Sequence, residues 1–212
     1  TRRKAIHEAI YQSPMLTHLY VERFISELDG LRKIASSGTS RRRVHAIRAP
    51  NTWKPPPSRH AKIYVDGGLS HDGSLGAAAA VYRDDRGNYL GSSTIVLPGM
   101  NTLATLEAIA CREGLSLVED LGLQNLVIAS DCQEVVKHIK DNSGGNYGAV
   151  IKEIIAWQSS FNSCCFKFEF RASNFDPHKL ARHAVKLDHG RHIWLGQSHD
   201  TSVIPVAIPT PE

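Results

Sequence analysis

The spacing of apolar residues divides the chain into regions of different character. Apolar side chains recur every three to four positions from Leu16 to Leu31, after a Ser13-Pro14 start signal, which predicts an amphipathic helix of about 20 residues. From Ser36 to Arg59 the composition shifts to Ser, Gly, Arg and Pro, which is typical of a linker. We therefore expect a helical segment at 1–35 and a basic linker at 36–60.

From residue 61 the apolar runs become short, as in strands. Residues 63–65, 77–82 and 89–97 predict three antiparallel strands. Further elements are predicted in this order: a helix at 102–121 closed by Gly122, a strand at 126–129, helices at 133–140 and 148–160, a strand at 164–170, and a helix at 176–188. This order, β-β-β-α-β-α-α-β-α, predicts an α/β domain at 61–190 with a five-stranded mixed sheet and helices on both faces. Residues 191–212 are expected to be a polar tail.

The composition fits an ordinary globular protein. The chain has 212 residues with 42% hydrophobic and 22% charged residues, which excludes a disordered chain or a fibre. No window approaches the roughly 18 to 20 apolar residues of a membrane span, so no membrane association is expected. The four cysteines show no framework spacing, which favours free thiols and an intracellular protein, in the nucleus or the cytoplasm. The N-terminal residues lack an initiator Met and an apolar signal core, so we expect a piece of a longer product.

Charge is distributed unevenly along the chain. Residues 1–60 contain 12 Lys and Arg against 4 Asp and Glu, whereas residues 61–212 contain 13 against 17. The basic excess includes Arg41-Arg42-Arg43, and such clusters suit contact with a polyanion. A solvated linker explains the same composition equally well.

Three acidic residues are predicted to converge at one edge of the sheet. Asp66 and Asp131 each follow a strand, and the carboxyl ends of neighbouring parallel strands meet at the same edge. Glu107 lies on the helix stripe that faces the sheet, and small residues at Ala110 and Gly114 let that helix approach closely. An unpaired buried carboxylate is costly, so three convergent acids without matching Lys or Arg indicate a divalent cation.

Four ordered motifs within residues 61–190 carry a family resemblance. They are Tyr64-Val65-Asp66-Gly67-Gly68, Leu106-Glu107-Ala108, Ala129-Ser130-Asp131-Cys132-Gln133, and Asn174 with His178-Lys179-Leu180-Ala181. As a set they resemble the type I ribonuclease H family, in particular the plant branch found in non-LTR retrotransposon polyproteins. The resemblance implies the ribonuclease H-like three-layer fold.

The resemblance also implies an activity, which is endonucleolytic hydrolysis of the RNA strand of an RNA–DNA hybrid. The family's four metal-binding positions fall on Asp66, Glu107, Asp131 and His178, where His178 replaces the usual Asp. These residues would hold two Mg²⁺ ions, with Asp66 bridging, Glu107 on the leaving-group side and Asp131 on the nucleophile side. Because imidazole is a softer ligand than carboxylate, Mn²⁺ should be well tolerated. Asp176 is a rival fourth acid that we interpret instead as a helix N-cap.

Substrate contacts follow less directly from the motifs. Gln133 matches a family position that touches the hybrid, and the backbone at Gly67 and Gly68 could approach a substrate closely. Leu103 and Ala104 stand where some members carry asparagines that read the RNA strand. We expect a monomer or part of a larger polyprotein.

Two other classes of function remain open. One is a catalytically weak or inactive nucleic-acid-binding relic of a plant retroelement, which the His at position 178 favours and the three intact acids oppose. The other is an interaction domain that uses the predicted Leu16–Leu31 helix to bind a partner.

Overall fold

A computed structural model describes residues 53–118, 120–198, 200–201 and 204–206, all within the unit Arg48–Glu212. The predicted N-terminal helix and most of the predicted linker lie outside the described residues. The elements follow in this order: β1 Ala61–Leu69, β2 Leu75–Arg83, β3 Tyr89–Pro98, α1 Leu103–Ser116, β4 Asn125–Ser130, α2 Gln133–Lys140, a 3₁₀ turn Gly145–Tyr147, α3 Gly148–Gln158, β5 Ser163–Phe168, α4 Phe175–Ala184 and β6 Gly190–Leu195. Among the described residues, no helix combines the length and apolar character needed to cross a membrane.

One mixed sheet organises the domain, with strand order β5-β4-β1-β2-β3-β6. β1 pairs antiparallel with β2 and parallel with β4, and β4 pairs parallel with β5. The predicted α/β class with helices on both faces of a mixed sheet is confirmed. The predicted parallel pairing of the first strand with the 126–129 strand is also present.

The sheet has six strands, and not the five predicted. Residues 190–195, expected at the start of the tail, pair antiparallel with β3 from Gly91 opposite Leu195 to Val96 opposite Gly190. Gly190, the first residue of β6, has φ 114°, a conformation that glycine adopts more readily than other residues. It lies where the segment after α4 turns into β6. β3 would otherwise leave an unpaired edge, and β6 satisfies its backbone groups.

Helices cover the sheet on opposite faces, as two adjacent glycines of β1 show. A Cβ on Gly67 would lie 2.9 Å from Leu106 Cβ in α1, and a Cβ on Gly68 would lie 3.1 Å from Ala181 Cβ in α4. Because successive strand residues face opposite sides, α1 and α4 pack on opposite faces of β1. The main apolar core lies between the sheet and α1, and a smaller cluster that includes Leu180 and Ile204 lies under α4.

The first helix ends earlier than predicted. α1 stops at Ser116, five residues before Leu121, because the chain continues in turns such as Leu121 N–H to Leu117 O. Gly122 does take a left-handed conformation, with φ 65°, but at the end of these turns rather than next to the helix. Close packing of the helix on the sheet agrees with the prediction, since a Cβ on Gly114 would meet Val65 Cγ1 at 3.0 Å.

Candidate active site

Asp66 lies within β1 at the point where the sheet opens. β1 continues beside β2 as far as Leu69, but its pairing with β4 ends at Val65 opposite Ser130. Asp66 is therefore the first β1 residue beyond the pairing with β4. The prediction placed it just after a shorter strand, whereas it lies inside β1. Its side chain is buried, with the residue 2% exposed.

Asp131 follows β4 directly and is held next to a hydrogen-bonded turn. The Cys132 backbone N–H donates to Ser130 Oγ at 3.0 Å, and the Ser130 hydroxyl lies 3.4 Å from Glu107 Oε2. The same serine thus links the turn that presents Asp131 to the third acid. This role of Ser130 was not foreseen from the sequence, although the residue lies within the motif that contains Asp131.

Glu107 reaches the other two acids from α1. It lies in the buried part of that helix, where Gly67 of β1 lets the helix backbone come close. Carboxylate oxygens of Asp66, Glu107 and Asp131 all lie within 4.8 Å of one another. We call these three residues the acidic cluster.

The acidic cluster is electrostatically unfavourable on its own. Burial, and then the neighbouring Asp131 carboxylate, raise the pKa of Asp66 to about 7. Burial, followed by Asp66 and Asp131, also raises the pKa of Glu107 well above its ordinary value. Among the described residues, no Lys or Arg forms an ion pair with the cluster. Carboxylate oxygens at this spacing are the donors that hard divalent cations prefer, so the cluster fits a divalent metal.

His178 adjoins the cluster from the first half of α4. Its Nδ1 lies 2.9 Å from Asp66 Oδ2, and Arg171 Nη2 lies 2.7 Å from its Nε2. Arg171 Nη2 also lies 2.8 Å from Nδ1, and because a guanidinium only donates, at least one ring nitrogen must accept, which requires a neutral ring. Burial, followed by Arg171 and Arg182, lowers the pKa of His178, which agrees with a neutral ring. The grouping of metal-ligating atoms within 4.8 Å contains the three acids without His178.

A cavity is present at the acidic cluster and His178, which line it together. The remaining predicted site residues lie around or outside this cavity. Gly67 and Gly68 line the cavity. Close packing of α1 and α4 on β1 already explains why these two positions are glycines, so contact between their backbone and a substrate stays a prediction. Gln133 is exposed in the first turn of α2 and does not line the cavity, so its proposed contact also stays a prediction. Leu103 and Ala104 do line the cavity, at the start of α1.

Asp176 is neither a cluster ligand nor a helix cap. Its Oδ2 pairs with Arg83 Nη2 at 2.6 Å, and the guanidinium of Arg83 is fully buried. The N-cap position of α4 is Asn174, and the Asn174 side chain donates to the backbone oxygen of Val65 at 2.7 Å. The N-cap interpretation of Asp176 was therefore wrong, because a buried arginine on β2 claims its carboxylate.

Two arginines in the cavity were missed as site residues. Arg171 precedes α4 and Arg182 lies one turn after His178 on that helix, and both side chains line the cavity with the acids. The spacing of Arg182 from His178 is a signal that sequence reasoning could have used, because residues four apart share a helix face. The position of Arg171 depends on a loop conformation that no local pattern predicts.

The fold and the site together define a ribonuclease H-like domain, and comparison with known proteins agrees. The sequence profile of the reverse transcriptase-like family matches residues 64–184. The chain belongs to the reverse transcriptase-like family. No curated protein sequence matches the chain at a significant level.

Solved structures share the fold at low sequence identity. The N-terminal RNase H domain of a Mycobacterium tuberculosis protein, fused to maltose-binding protein, is 21% identical with a TM-score of 0.54, covering 60% of this chain and 94% of that one. RNase H1 of the halophilic archaeon Halobacterium salinarum is 15% identical with a TM-score of 0.54, covering 60% and 97%. An RNase H1 from a compost metagenome, solved in complex with an RNA/DNA hybrid, is 17% identical with a TM-score of 0.54, covering 59% and 96%.

Proposed function

We propose that the chain is a divalent-metal-dependent nuclease that hydrolyses the RNA strand of RNA–DNA hybrids. The observation that carries the proposal is the acidic cluster, in which three carboxylates from β1, α1 and the end of β4 lie within 4.8 Å of one another. The family match and the fold of solved RNase H1 enzymes support the same activity.

The roles proposed for the side chains follow from their positions. When bound, divalent cations supply positive charge that polarises a phosphate and lowers the pKa of water. Asp66, Glu107 and Asp131 would hold these cations, with Asp66 as the proposed shared ligand. His178 adjoins Asp66 and would complete the set from α4. The Ser130 hydroxyl restrains the Glu107 carboxylate.

Mg²⁺ is the cation we propose, in two sites, with Mn²⁺ as an effective substitute. The three oxygen donors suit Mg²⁺, whereas the imidazole of His178 is a softer ligand that suits Mn²⁺ better. We also propose that the chain acts as a monomer or within a longer polyprotein derived from a plant retroelement, as its sequence motifs suggest.

The decisive experiment is cleavage of a hybrid with an end-labelled RNA strand, by the full chain, in Mg²⁺ or Mn²⁺. We expect RNA fragments with 5′-phosphate and 3′-hydroxyl ends, and no product from Asp66→Asn. Asp188→Asn is the matched control, because Asp188 is exposed and its side chain has no partner in the described structure. Equal cleavage by wild type and Asp66→Asn would refute the proposal.

Substrate choice is tested with the same RNA strand in three duplexes. The cavity offers the apolar side chains of Leu103 and Ala104 at the start of α1, and neither can hydrogen-bond to a ribose 2′-hydroxyl. We therefore expect the wild-type chain to cleave hybrid faster than double-stranded RNA or DNA. We expect this preference to be larger in the Leu103→Asn variant. A preference unchanged by Leu103→Asn would mean that this position does not contact the sugar.

A second candidate function is binding of nucleic acid without turnover. It is favoured by one observation: both ring nitrogens of His178 are already engaged, Nδ1 with Asp66 and both with Arg171. A chain that binds hybrid at low salt but leaves it uncut in both Mg²⁺ and Mn²⁺ would support this alternative.

A further inference from the structure

Two guanidinium groups share the cavity with the acidic cluster, and one of them, Arg171, lies near enough to Asp66 to oppose the rise in the pKa of that carboxyl. Arg171 and Arg182, the arginine pair, both line the cavity and both are exposed on its rim. Among the described residues, neither forms an ion pair with an Asp or Glu. The side-chain hydrogen-bond contacts of Arg171 are with the two ring nitrogens of His178, at 2.7 and 2.8 Å. A guanidinium on the rim of an acidic cavity, without a carboxylate of its own, is available to an anionic ligand.

Arg171 is presented by a short, fixed loop. Within it the Ser173 N–H donates to Phe170 O at 2.8 Å, and the Asn174 N–H donates to Arg171 O at 3.1 Å. The Asn174 side chain then ties the loop to Val65 O, one residue before Asp66. The position of Arg171 relative to the acidic cluster is therefore set by β1, the strand that carries Asp66.

Arg182 is fixed to the same strand through α4. Its neighbour Ala181 packs against Gly68 of β1, where an added Cβ would come within 3.1 Å. Arg182 also lies four residues after His178, so the two side chains project from the same face of α4. Both arginines line the same cavity as His178.

We propose that the arginine pair is a phosphate subsite, which binds the nucleic-acid backbone beside the phosphate held at the acidic cluster. The inference rests on the proposed function, because it places the cleaved strand in this cavity. Guanidinium groups bind phosphate oxygens with a planar fork of donors, and each phosphate contact releases a counterion. The subsite would bind the strand from the α4 side, whereas the start of α1 borders the opposite side of the cavity with apolar side chains.

The test is the salt dependence of hybrid binding, measured in Mg²⁺ in an Asp66→Asn background so that the strand stays intact. We expect Arg171→Ala and Arg182→Ala each to lower the slope of log Kd against log salt by roughly 0.7 to 0.9, and the double variant by about twice that. Arg86→Ala is the matched control, because Arg86 is an exposed arginine in the β2–β3 turn, at the opposite end of the sheet. A double variant with the slope of Arg86→Ala would overturn the subsite.

Charge-preserving variants separate phosphate contact from a structural role. Arg171→Lys and Arg182→Lys keep the positive charge but lose the planar set of guanidinium donors. We therefore expect the slope of log Kd against log salt to stay near the wild-type value while Kd rises severalfold. If the slope of log Kd against log salt falls as much in the Lys variants as in the Ala variants, the proposal would also be overturned. In the cleavage-competent chain, Arg182→Ala should raise KM with little change in kcat.

The outcomes for the subsite and for the nuclease can be distinguished. Hybrid binding whose slope depends on the arginine pair, without cleavage by the wild-type chain, would support the subsite and refute the nuclease. Cleavage that depends on Asp66, with a slope independent of the arginine pair, would support the nuclease and refute the subsite.

Discussion

Two sets of buried and half-buried acids in this domain differ in whether a basic side chain neutralises them. The paired acids each contact a basic side chain: Glu169 with Lys62 at 2.7 Å, Asp176 with Arg83 at 2.6 Å and Glu113 with Arg191 at 2.6 Å. The acidic cluster of Asp66, Glu107 and Asp131 brings carboxylates together without a basic ion-pair partner among the described Lys and Arg residues. The same fold thus neutralises some acids with its own basic side chains and leaves the acidic cluster without a Lys or Arg ion-pair partner among the described residues.

The difference shows which acids serve the fold and which do not. A buried ion pair resists the loss of either partner, because the remaining charge would be buried alone. In the acidic cluster the ionised carboxylates are already unfavourable, because they are buried next to one another, and this raises the pKa values of Asp66 and Glu107. Substitutions in the two sets should therefore have opposite consequences for stability and activity.

The largest effect is expected for removal of charge from the acidic cluster. Asp66→Asn should reduce hybrid cleavage by at least about 100-fold, because a charged ligand to the cations is lost. The same variant should unfold at a higher temperature than wild type in metal-free buffer above pH 7, since a buried negative charge is removed. Cleavage assays and thermal unfolding with EDTA measure the two effects, and a variant that loses both activity and stability would contradict the comparison.

Breaking a paired acid should do the reverse. Lys62→Met leaves Glu169 buried without its cation, so we expect a loss of about 3 kcal/mol in the free energy of unfolding. The activity of the folded fraction should stay close to wild type, because neither residue lines the cavity. Denaturant unfolding of Lys62→Met beside the double variant Lys62→Met/Glu169→Gln checks this, and the double variant should recover part of the loss.

The acidic cluster should also give metal-free stability an unusual dependence on pH. Asp66 has a pKa of about 7 when folded against an ordinary 3.8, so the folded protein binds this proton more tightly than the unfolded chain. Protonation therefore stabilises the fold, and the free energy of unfolding should fall by about 3 kcal/mol as pH rises from about 4 to about 7. Glu107 contributes in the same direction, whereas the lowered pKa of His178 contributes the opposite slope below 6.5.

That pH dependence can be assigned by two comparisons. Asp66→Asn should flatten it, and Asp188→Asn should leave it unchanged, since Asp188 is exposed. Saturating Mg²⁺ should remove the fall, because cations bind the ionised acids. Metal-free stability that rises steadily between pH 4 and pH 7 would contradict the assignment.

The smallest effect is expected at the position where histidine joins the acids. His178→Asp adds an oxygen donor beside Asp66, so we expect roughly three- to tenfold higher activity at limiting Mg²⁺ and a smaller gain in Mn²⁺. His178→Asn is the matched control for size and polarity without charge. Metal titrations that show equal activity for the two variants would mean that this position does not contribute to cation binding.

The convergence of the acids could be predicted because it depends on general features of an open α/β sheet. Parallel neighbours bring Asp66 and Asp131 to one edge, and the helical period turns Glu107 toward the sheet. Small residues where α1 contacts the sheet, such as Gly114, also predict close packing of the helix on β1. These are consequences of local spacing, which the sequence displays directly.

What could not be predicted depends on contacts between distant segments. The sixth strand forms because residues 190–195 pair with the edge of β3 that would otherwise be free. The apolar pattern of these residues is too short to predict such pairing from the sequence. Asp176 precedes Pro177 as N-caps often do, yet Arg83, 93 positions earlier, determines its contact. Arg171 enters the site through a loop fixed by Asn174, whose partner on β1 is 109 positions away.

The link between Asn174 and Val65 has a consequence for biosynthesis. It joins the strand laid down first in this domain to the loop that precedes its last helix, so His178, Arg171 and Arg182 take their places only after most of the domain has been translated. A ribosome-bound fragment that ends before residue 175 contains every carboxylate of the acidic cluster but none of α4. Such an unfinished chain has an incomplete cavity, and the cavity is completed only when synthesis of the domain nears its end.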